Sequence, residues 1–284
     1  MERRKKGASM KRKAVLCVII TLIFSMFLMS GCLRRSKGRI TIKGSTTVLP
    51  IMQKASEKFN KKQETRVRIS IEGSSSFDGL NALLEDSCDI ATSSRKISLE
   101  ELKRAKDNGQ QIKEFIIAKD MIVPIVNVKN PINNISIAQL KAIYEGKITN
   151  WKELNGNDVE ISVMTREVGS GTLHIWYEKV IRGTIMIGEA QPSNDEVLRA
   201  VFENENAIGF VGYGYARKHI KPLSLNGVMP NHENAKLGKY ALLRELYMYI
   251  DENSTSEKAM NFINFLMSPD GVYCVTDAGY IVNK

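Results

Sequence analysis

The sequence predicts an α/β protein of two lobes built on mainly parallel sheets. Three observations predict it. Short apolar runs with strand periodicity alternate with helix-periodic segments from residue 39 onward, the order that lays helices over parallel strands. Ser-x-x-Glu and Ser-x-x-Gln signals recur where those helices would start. Two long apolar segments, 114–127 and 239–250, flank a middle region, so the chain crosses from one lobe to the other and back.

Residues 39–43 predict a strand. Residues 47–62 predict a helix with Leu49, Met52, Ala55 and Phe59 on one face. Pro50 fits its first turn, where no N–H is needed. A strand at 67–71, a helix at 77–85 and a buried strand at 89–92 follow. Ser98 with Glu101 opens a helix to Asp107. The segment 114–127, broken by Lys119-Asp120 and Pro124, reads as a strand leaving one sheet and entering another. In the middle region Ser136 with Gln139 caps a helix ending near Gly146, 159–164 is a strand and 172–180 a helix. Ser193 with Glu196 forms a further capping box before the strand 207–213. Ser254 with Glu257 caps a helix carrying Met260, Phe262, Ile263 and Leu266, and 271–278 is a short last helix. The expected division is residues 40–120 with 246–284 as lobe I, and 121–245 as lobe II.

A formal charge of +10 first points to nucleic acid or a membrane surface. Seven of the basic residues (Arg3, Arg4, Lys5, Lys6, Lys11, Arg12 and Lys13) fall in residues 1–31, with one acid, Glu2. Setting these aside leaves 34 basic and 30 acidic residues, a net of +4, so no nucleic-acid partner is expected. Residues 1–31 have the layout of a secretory signal: a basic stretch, an apolar run over 14–29, then small residues. The run is shorter than the roughly 20 residues that a spanning helix needs. Leu28-Met29-Ser30-Gly31-Cys32 resembles the bacterial lipobox, in which the signal is removed and the cysteine becomes the lipidated first residue. An uncleaved N-terminal anchor is the alternative. On either reading the folded part lies outside the cytoplasm, tethered by residues 32–39. Arg34, Arg35, Lys37 and Arg39 in that tether read either as lipid-facing or as a solvated linker.

With Cys17 in the apolar run and Cys32 in the lipobox, Cys88 and Cys274 remain. They read as two buried thiols in preference to an exported disulfide. No Cys/His spacing marks a metal site, and His174, His219 and His232 are scattered.

Three segments share one design, hydroxyl residues and glycine where a helix begins: Gly44-Ser45-Thr46-Thr47, Gly73-Ser74-Ser75-Ser76 and Gly169-Ser170-Gly171-Thr172. The first N–H groups of a helix lack internal partners and carry the positive end of its dipole. Hydroxyls add donors, and glycine lets an anion approach the backbone. One such segment is an ordinary N-cap. Three of them, with Arg166 four residues before Ser170, point to an oxyanion site. Because the segments contain no lysine, Arg166 is expected to be the one full positive charge there.

The segments Gly44-Ser-Thr-Thr-Val-Leu-Pro50, Asp89-Ile-Ala-Thr-Ser-Ser-Arg95, Gly146-Lys-Ile-Thr-Asn-Trp151, Thr165-Arg-Glu-Val-Gly-Ser-Gly-Thr172, Tyr240-Ala-Leu-Leu-Arg-Glu-Leu-Tyr-Met-Tyr249 and Ser268-Pro-Asp-Gly271 resemble the phosphate-binding proteins of bacterial phosphate ABC importers. The resemblance runs in order from about Ile40 to the C-terminus. It implies a type II periplasmic-binding-protein clamshell with inorganic phosphate in the interlobe cleft, no cofactor and no catalysis. It implies a monomer, lipid-anchored on the extracytoplasmic face of the cell membrane, that serves the permease and ATPase subunits of the importer. Carried over by motif, the ligand contacts are Ser45, Thr46, Thr47, Ser74 or Ser75, and Ser94 from lobe I. Lobe II supplies Arg166, Ser170, Gly171 and Thr172. Some members have an aspartate where this chain has Ser94, and a serine rejects sulfate less decisively because it brings no like-charge repulsion. Asp78 reads either as a substitute carboxylate or as an acid in a helix's first turn. Arg95 reads either as a ligand or as a surface residue.

Against an enzyme, Ser170 is directly flanked by glycines and no Gly-x-Ser-x-Gly elbow exists. His174 reads as a helix residue, not as half of a Ser-His pair. Gly209-Phe-Val-Gly-Tyr-Gly214 has the dinucleotide glycine spacing reversed. A binding protein for sulfate, molybdate or tungstate, a phosphatase-like enzyme and a surface adhesin on the same fold are the alternatives.

Overall fold

The structure is a computed structural model that describes residues 39–62, 67–183, 185–216 and 219–282. The signal segment, the lipobox with Cys32 and residues 33–38 lie outside the described residues.

In chain order the strands are β1 (Arg39–Ser45), β2 (Arg68–Ser74), β3 (Ile90–Ser93), β4 (Ile112–Asn127), β5 (Asn134–Ile135), β6 (Ser162–Arg166), β7 (Glu189–Gln191), β8 (Ala207–Gly212), β9 (Ile220–Pro222), β10 (Ser224–Leu225) and β11 (Leu243–Asp251). The helices are α1 (Leu49–Lys62), α2 (Ser76–Leu84), α3 (Leu99–Asp107), α4 (Ile137–Tyr144), α5 (Gly171–Trp176), α6 (Asn194–Glu203), α7 (His232–Lys236), α8 (Glu257–Met267) and α9 (Pro269–Asp277). One nine-stranded sheet runs β2-β1-β3-β11-β4-β8-β6-β7 with β9 beside β4, and β5 pairs with β10 apart from it.

The sheet is mixed, which corrects the expectation of mainly parallel sheets. β1 with β3, and β6 with β7 and β8, are parallel. β4 and β11 are antiparallel to each other, and so are β11 with β3 and β4 with β8 and β9. The reason is topological: a chain that leaves one lobe along β4 and returns along β11 must run the two in opposite directions.

Hydrophobic burial changes sides along these strands. On β4, Ile117 and Ala118 pack with Phe59, Phe262 and Ile263, while Met121 to Val126 pack with Trp176, Phe210 and Val197. Leu242 belongs to the second group and Leu246, on β11, to the first. A third crossing was not expected: Tyr280 packs with the first group and Ile281 with the second, and Ile281 and Lys119 exchange backbone hydrogen bonds of 3.0 and 2.7 Å. A smaller cluster around Leu80, Leu83 and Tyr249 supports α2. Pro124 is tolerated inside β4 because only its carbonyl is used there, accepting from Leu223 N–H at 2.9 Å. Cys88 and Cys274 are buried thiols in different clusters with no disulfide between them.

The reciprocal capping boxes of Ser98 with Glu101 and of Ser136 with Gln139 form as expected. Two other starts differ. Ser193 accepts from Glu196 N–H, but the Glu196 carboxylate turns outward to Arg199. α8 is capped by Ser256, two residues later than expected, because Ser254 and Thr255 still donate their N–H groups to Asp251 O in a turn. On α1 the buried face is Ile51, Met52, Ala55 and Phe59, and Leu49 sits half-buried at the helix start. The segment 172–180 is α5 continued by a π turn, Tyr177–Ile181, closed by Arg182 at φ 55°.

Candidate functional site

The walls of the cleft are strand ends followed by helix starts. β1 and β3 run parallel and side by side, and Gly44, at φ +131°, has no room for a side chain: a Cβ would fall 2.1 Å from Thr92 O. This close approach turns Ser45, Thr46 and Thr47 inward, and all three are buried. Thr47 N–H closes the turn on Ser45 Oγ at 3.2 Å. From the other lobe, β6 ends at Arg166 and a tight turn leads to Ser170, the N-cap of α5, whose Oγ accepts from Leu173 N–H at 3.3 Å. The next N–H groups, of Gly171 and Thr172, are among those a helix leaves without internal partners.

The two walls meet. Thr47 Oγ1 lies 3.2 Å from Thr172 Oγ1. Asn194 Nδ2 donates to Thr46 Oγ1 at 3.0 Å and to Thr47 Oγ1 at 3.2 Å. Tyr215 OH donates to Thr46 O at 2.6 Å, and Phe77 N–H to Gly169 O at 3.2 Å. Gly171 lies so near the first lobe that a Cβ there would come 2.4 Å from Ser76 Oγ and 2.6 Å from Ser94 Oγ. This is the closed arrangement of a clamshell.

Two buried guanidiniums lie near each other here, and one of them, Arg244, bonds these hydroxyls directly. Arg166 is 3% exposed; Nε donates to Gln191 O at 3.2 Å and Nη2 to Pro192 O at 3.0 Å. Its Nη1 is buried and has no partner among the described residues. Burial, then the positive charge of Arg244, pull Arg166 down to about 10 against the smaller opposing effects of Tyr215 and Glu167, so it keeps its charge at neutral pH, with no carboxylate in ion-pair contact among the described residues. An anion supplies what that group lacks. Arg244 is fixed by Asp120: Nε and Nη2 reach Oδ2 at 2.9 and 2.7 Å. Burial raises the Asp120 carboxyl above its ordinary range, against the pull of Arg244 and of the Tyr213 and Met121 N–H groups. Arg244 also donates from Nη1 to Thr172 Oγ1 at 2.8 Å and from Nη2 to Thr47 Oγ1 at 3.3 Å. A second guanidinium, paired with a carboxylate, therefore lies behind the threonines in addition to Arg166.

Ser45, Thr46, Thr47, Ser94, Arg166, Ser170, Gly171 and Thr172 all fall on the buried faces just described. Ser74 and Ser75 do not. Ser75 Oγ is spent in a capping box with Asp78, 2.7 Å from Asp78 Oδ2, and Ser74 Oγ points to a neighbouring carbonyl. The buried hydroxyl of this segment is Ser76, 3.3 Å from Ser94 Oγ and accepting from Ser94 N–H at 3.0 Å. Asp78 is a first-turn acid of α2 whose carboxylate closes the capping box with Ser75. Arg95 is neither a ligand nor a surface residue: its fork grips buried Glu101 at 2.6 and 2.8 Å. His174 lies on the helix surface, 3.3 Å from Glu178. Among the described residues no cluster of His, Cys, Asp or Glu is arranged for a metal ion.

Ser76, Asn194, Asp120 and Arg244 stand at these faces beyond the residues expected from the sequence. Ser76 lies in the serine run, one position beyond Ser75. Nothing local marks Asn194 or Asp120, whose roles come from strands and helices that meet only in the fold.

Residues 34–270 match the PBP superfamily domain. The phosphate-binding protein PstS of Staphylococcus epidermidis is 30% identical over 267 residues, covering 89% of this chain and 82% of that protein. The chain belongs to the phosphate-binding proteins of the PBP superfamily. PstS of Borreliella burgdorferi is 29% identical over 279 residues, covering 93% of this chain and 97% of its own length. A substrate-binding protein of Clostridium perfringens, solved with bound phosphate, superposes with a TM-score of 0.81 at 33% identity, covering 87% of this chain and all (100%) of that one. Membership of this family accounts for the two-lobe fold.

Proposed function

We propose that this chain captures inorganic phosphate outside the cytoplasm and delivers it to the permease and ATPase subunits of an ABC importer, without catalysing a reaction. The observation that carries the reading is the buried Arg166 Nη1, a cationic donor without a partner among the described residues, near the Arg244 guanidinium that bonds Thr47 and Thr172. Fixed donors in a low-dielectric cleft hold an oxyanion strongly because each bond is strengthened and none has to reorganise. The proposed ligand set is Ser45, Thr46, Thr47, Ser76 and Ser94 from lobe I, with Arg166, Ser170, Gly171 and Thr172 from lobe II.

The lobes are proposed as residues 40–120 with 246–284, and 121–245, a division supported by the change of hydrophobic partners near Met121 and Leu246. Anchoring through a lipid on Cys32, after removal of residues 1–31 and with 32–39 as a short tether, rests on the lipobox alone. No described helix is long and apolar enough to cross a membrane. A monomer suffices, since both walls of the site come from one chain.

Calorimetric titration of the mature domain with phosphate, sulfate, molybdate and tungstate tests the reading. Phosphate is expected to bind at micromolar concentration or tighter, about −8 kcal/mol. Tighter binding of another oxyanion would replace phosphate in this account. Hydrolysis of a chromogenic phosphate ester that is lost with Ser170→Ala would replace the binding protein by an enzyme.

A further inference from the structure

We propose that Arg244, held by Asp120, is a positioning residue that turns a hydroxyl proton of the Thr47–Thr172 pair toward the bound anion; the inference rests on the phosphate reading above. A guanidinium has five N–H donors and no acceptor, whereas a hydroxyl has one proton and two lone pairs. Thr47 Oγ1 accepts from Arg244 Nη2 at 3.3 Å and from Asn194 Nδ2 at 3.2 Å, which takes both lone pairs. The Asn194 amide is oriented by Gly212 N–H, which donates to its Oδ1 at 3.3 Å. Thr47 is left able only to donate. Thr172 Oγ1 accepts from Arg244 Nη1 at 2.8 Å and lies 3.2 Å from Thr47 Oγ1. If Thr47 gives its proton to Thr172, both lone pairs of Thr172 are filled and its own proton goes to the cleft. If Thr47 gives its proton to the cleft directly, the result is the same at the other hydroxyl. In either arrangement a proton faces the ligand, and an anion accepts protons only.

Geometry makes this a clasp as well as a proton guide. Arg244 and Asp120 are register partners on β11 and β4, the strands that join the lobes. Gly212 leaves space for the pair, since a Cβ there would fall 2.8 Å from Asp120 Oδ2 and 3.2 Å from Arg244 Nη2. From the joint, one side chain reaches Thr47 in one lobe and Thr172 in the other, and it can hold both only when the walls meet. Asp120 pairs with Arg244 and fixes its guanidinium, so the pair supplies direction, while Arg166 Nη1 is the buried cationic donor without a partner among the described residues.

The test is a set of phosphate titrations on the whole mature domain. Arg244→Lys keeps a charge beside Asp120 but cannot fork to both threonines, and it should weaken phosphate binding roughly tenfold. The pair of substitutions Arg244→Met and Asp120→Leu, which replaces the buried ion pair by apolar groups, should do the same without leaving a lone charge. In a Thr47→Val, Thr172→Val background, each change should alter affinity by less than about twofold, because the hydroxyls through which Arg244 acts are gone. Each protein is titrated where its circular dichroism matches that of the parent. A similar loss in both backgrounds, or no loss in the parent background, overturns the inference and leaves the functional reading standing. A parent chain that takes up no phosphate overturns both.

Discussion

Thr47 Oγ1 and Thr172 Oγ1 stand 3.2 Å apart although 125 residues separate them in the chain. The first ends a turn after β1 in one lobe, and the second lies in the opening turn of α5 in the other. The proposed ligand site and the contact between the walls are thus one surface, so an anion that accepts from both walls would stabilise the closed form by its differential affinity for it. Closure is then the state a permease can read as loaded.

Gly171→Ala should block that closure. A Cβ would lie 2.4 Å from Ser76 Oγ and 2.6 Å from Ser94 Oγ. Phosphate affinity should fall at least roughly tenfold, about 1.4 kcal/mol, while the melting temperature of the unliganded domain stays near that of the parent. Small-angle scattering with and without phosphate would follow it: the parent contracts and the variant does not.

Acid should loosen the first lobe at the Arg95–Glu101 pair. Burial raises the Glu101 carboxyl, but Arg95 and the Ser98 N–H outweigh it, and the net direction is below the ordinary value of 4.5. A native value lowered in this way contributes stability that is present above about pH 4.5 and lost as pH falls through the lower native value. Glu101→Ala would leave the Arg95 guanidinium buried and unpaired, at about 3–5 kcal/mol at neutral pH. Urea unfolding at pH 7 and pH 4 measures both, and the variant should lose the acid sensitivity assigned to this pair.

The alternation of elements, the two long crossings and the helix starts at Ser98 and Ser136 were legible because each is a local pattern of period, cap or run. Sheet direction was not, since whether β4 and β11 pair is settled only when both lobes are assembled. The third crossing at Tyr280-Ile281 has no length or composition to announce it. At the proposed site, the glycine and hydroxyl segments 44–47 and 169–172 come together, whereas in the serine run the buried hydroxyl is Ser76 and not Ser74 or Ser75. Arg244 lay inside a family-like segment without a local reason to be singled out, and Arg95 drew notice for a role that Glu101 takes away.

Trp176 stacks on Phe210 at 4.1 Å between centroids and meets Tyr144 edge-on at 5.1 Å, in the centre of the second lobe's core. Trp176→Ala should cost about 3–5 kcal/mol by denaturant unfolding. Trp176→Phe should cost clearly less, because it keeps the ring stack and also removes a buried indole N–H that has no acceptor among the described residues.

Cys32→Ala should shift the protein from the membrane fraction to the soluble extracytoplasmic fraction with phosphate affinity unchanged. Retention at the membrane after that change would mean that the apolar run over 14–29 is an uncleaved anchor.

The most direct measurement is phosphate titration of Arg166→Ala beside the parent. Arg166 is buried, charged at neutral pH and without a partner at Nη1 among the described residues, so an oxyanion at this site must meet it. The account predicts a loss of about 2–5 kcal/mol in binding, the range for removing one side of a buried charge pair. Ser170→Ala should lose less, about 1–3 kcal/mol. An Arg166→Ala variant that binds phosphate as tightly as the parent would contradict the account, because the anion would then have to lie elsewhere.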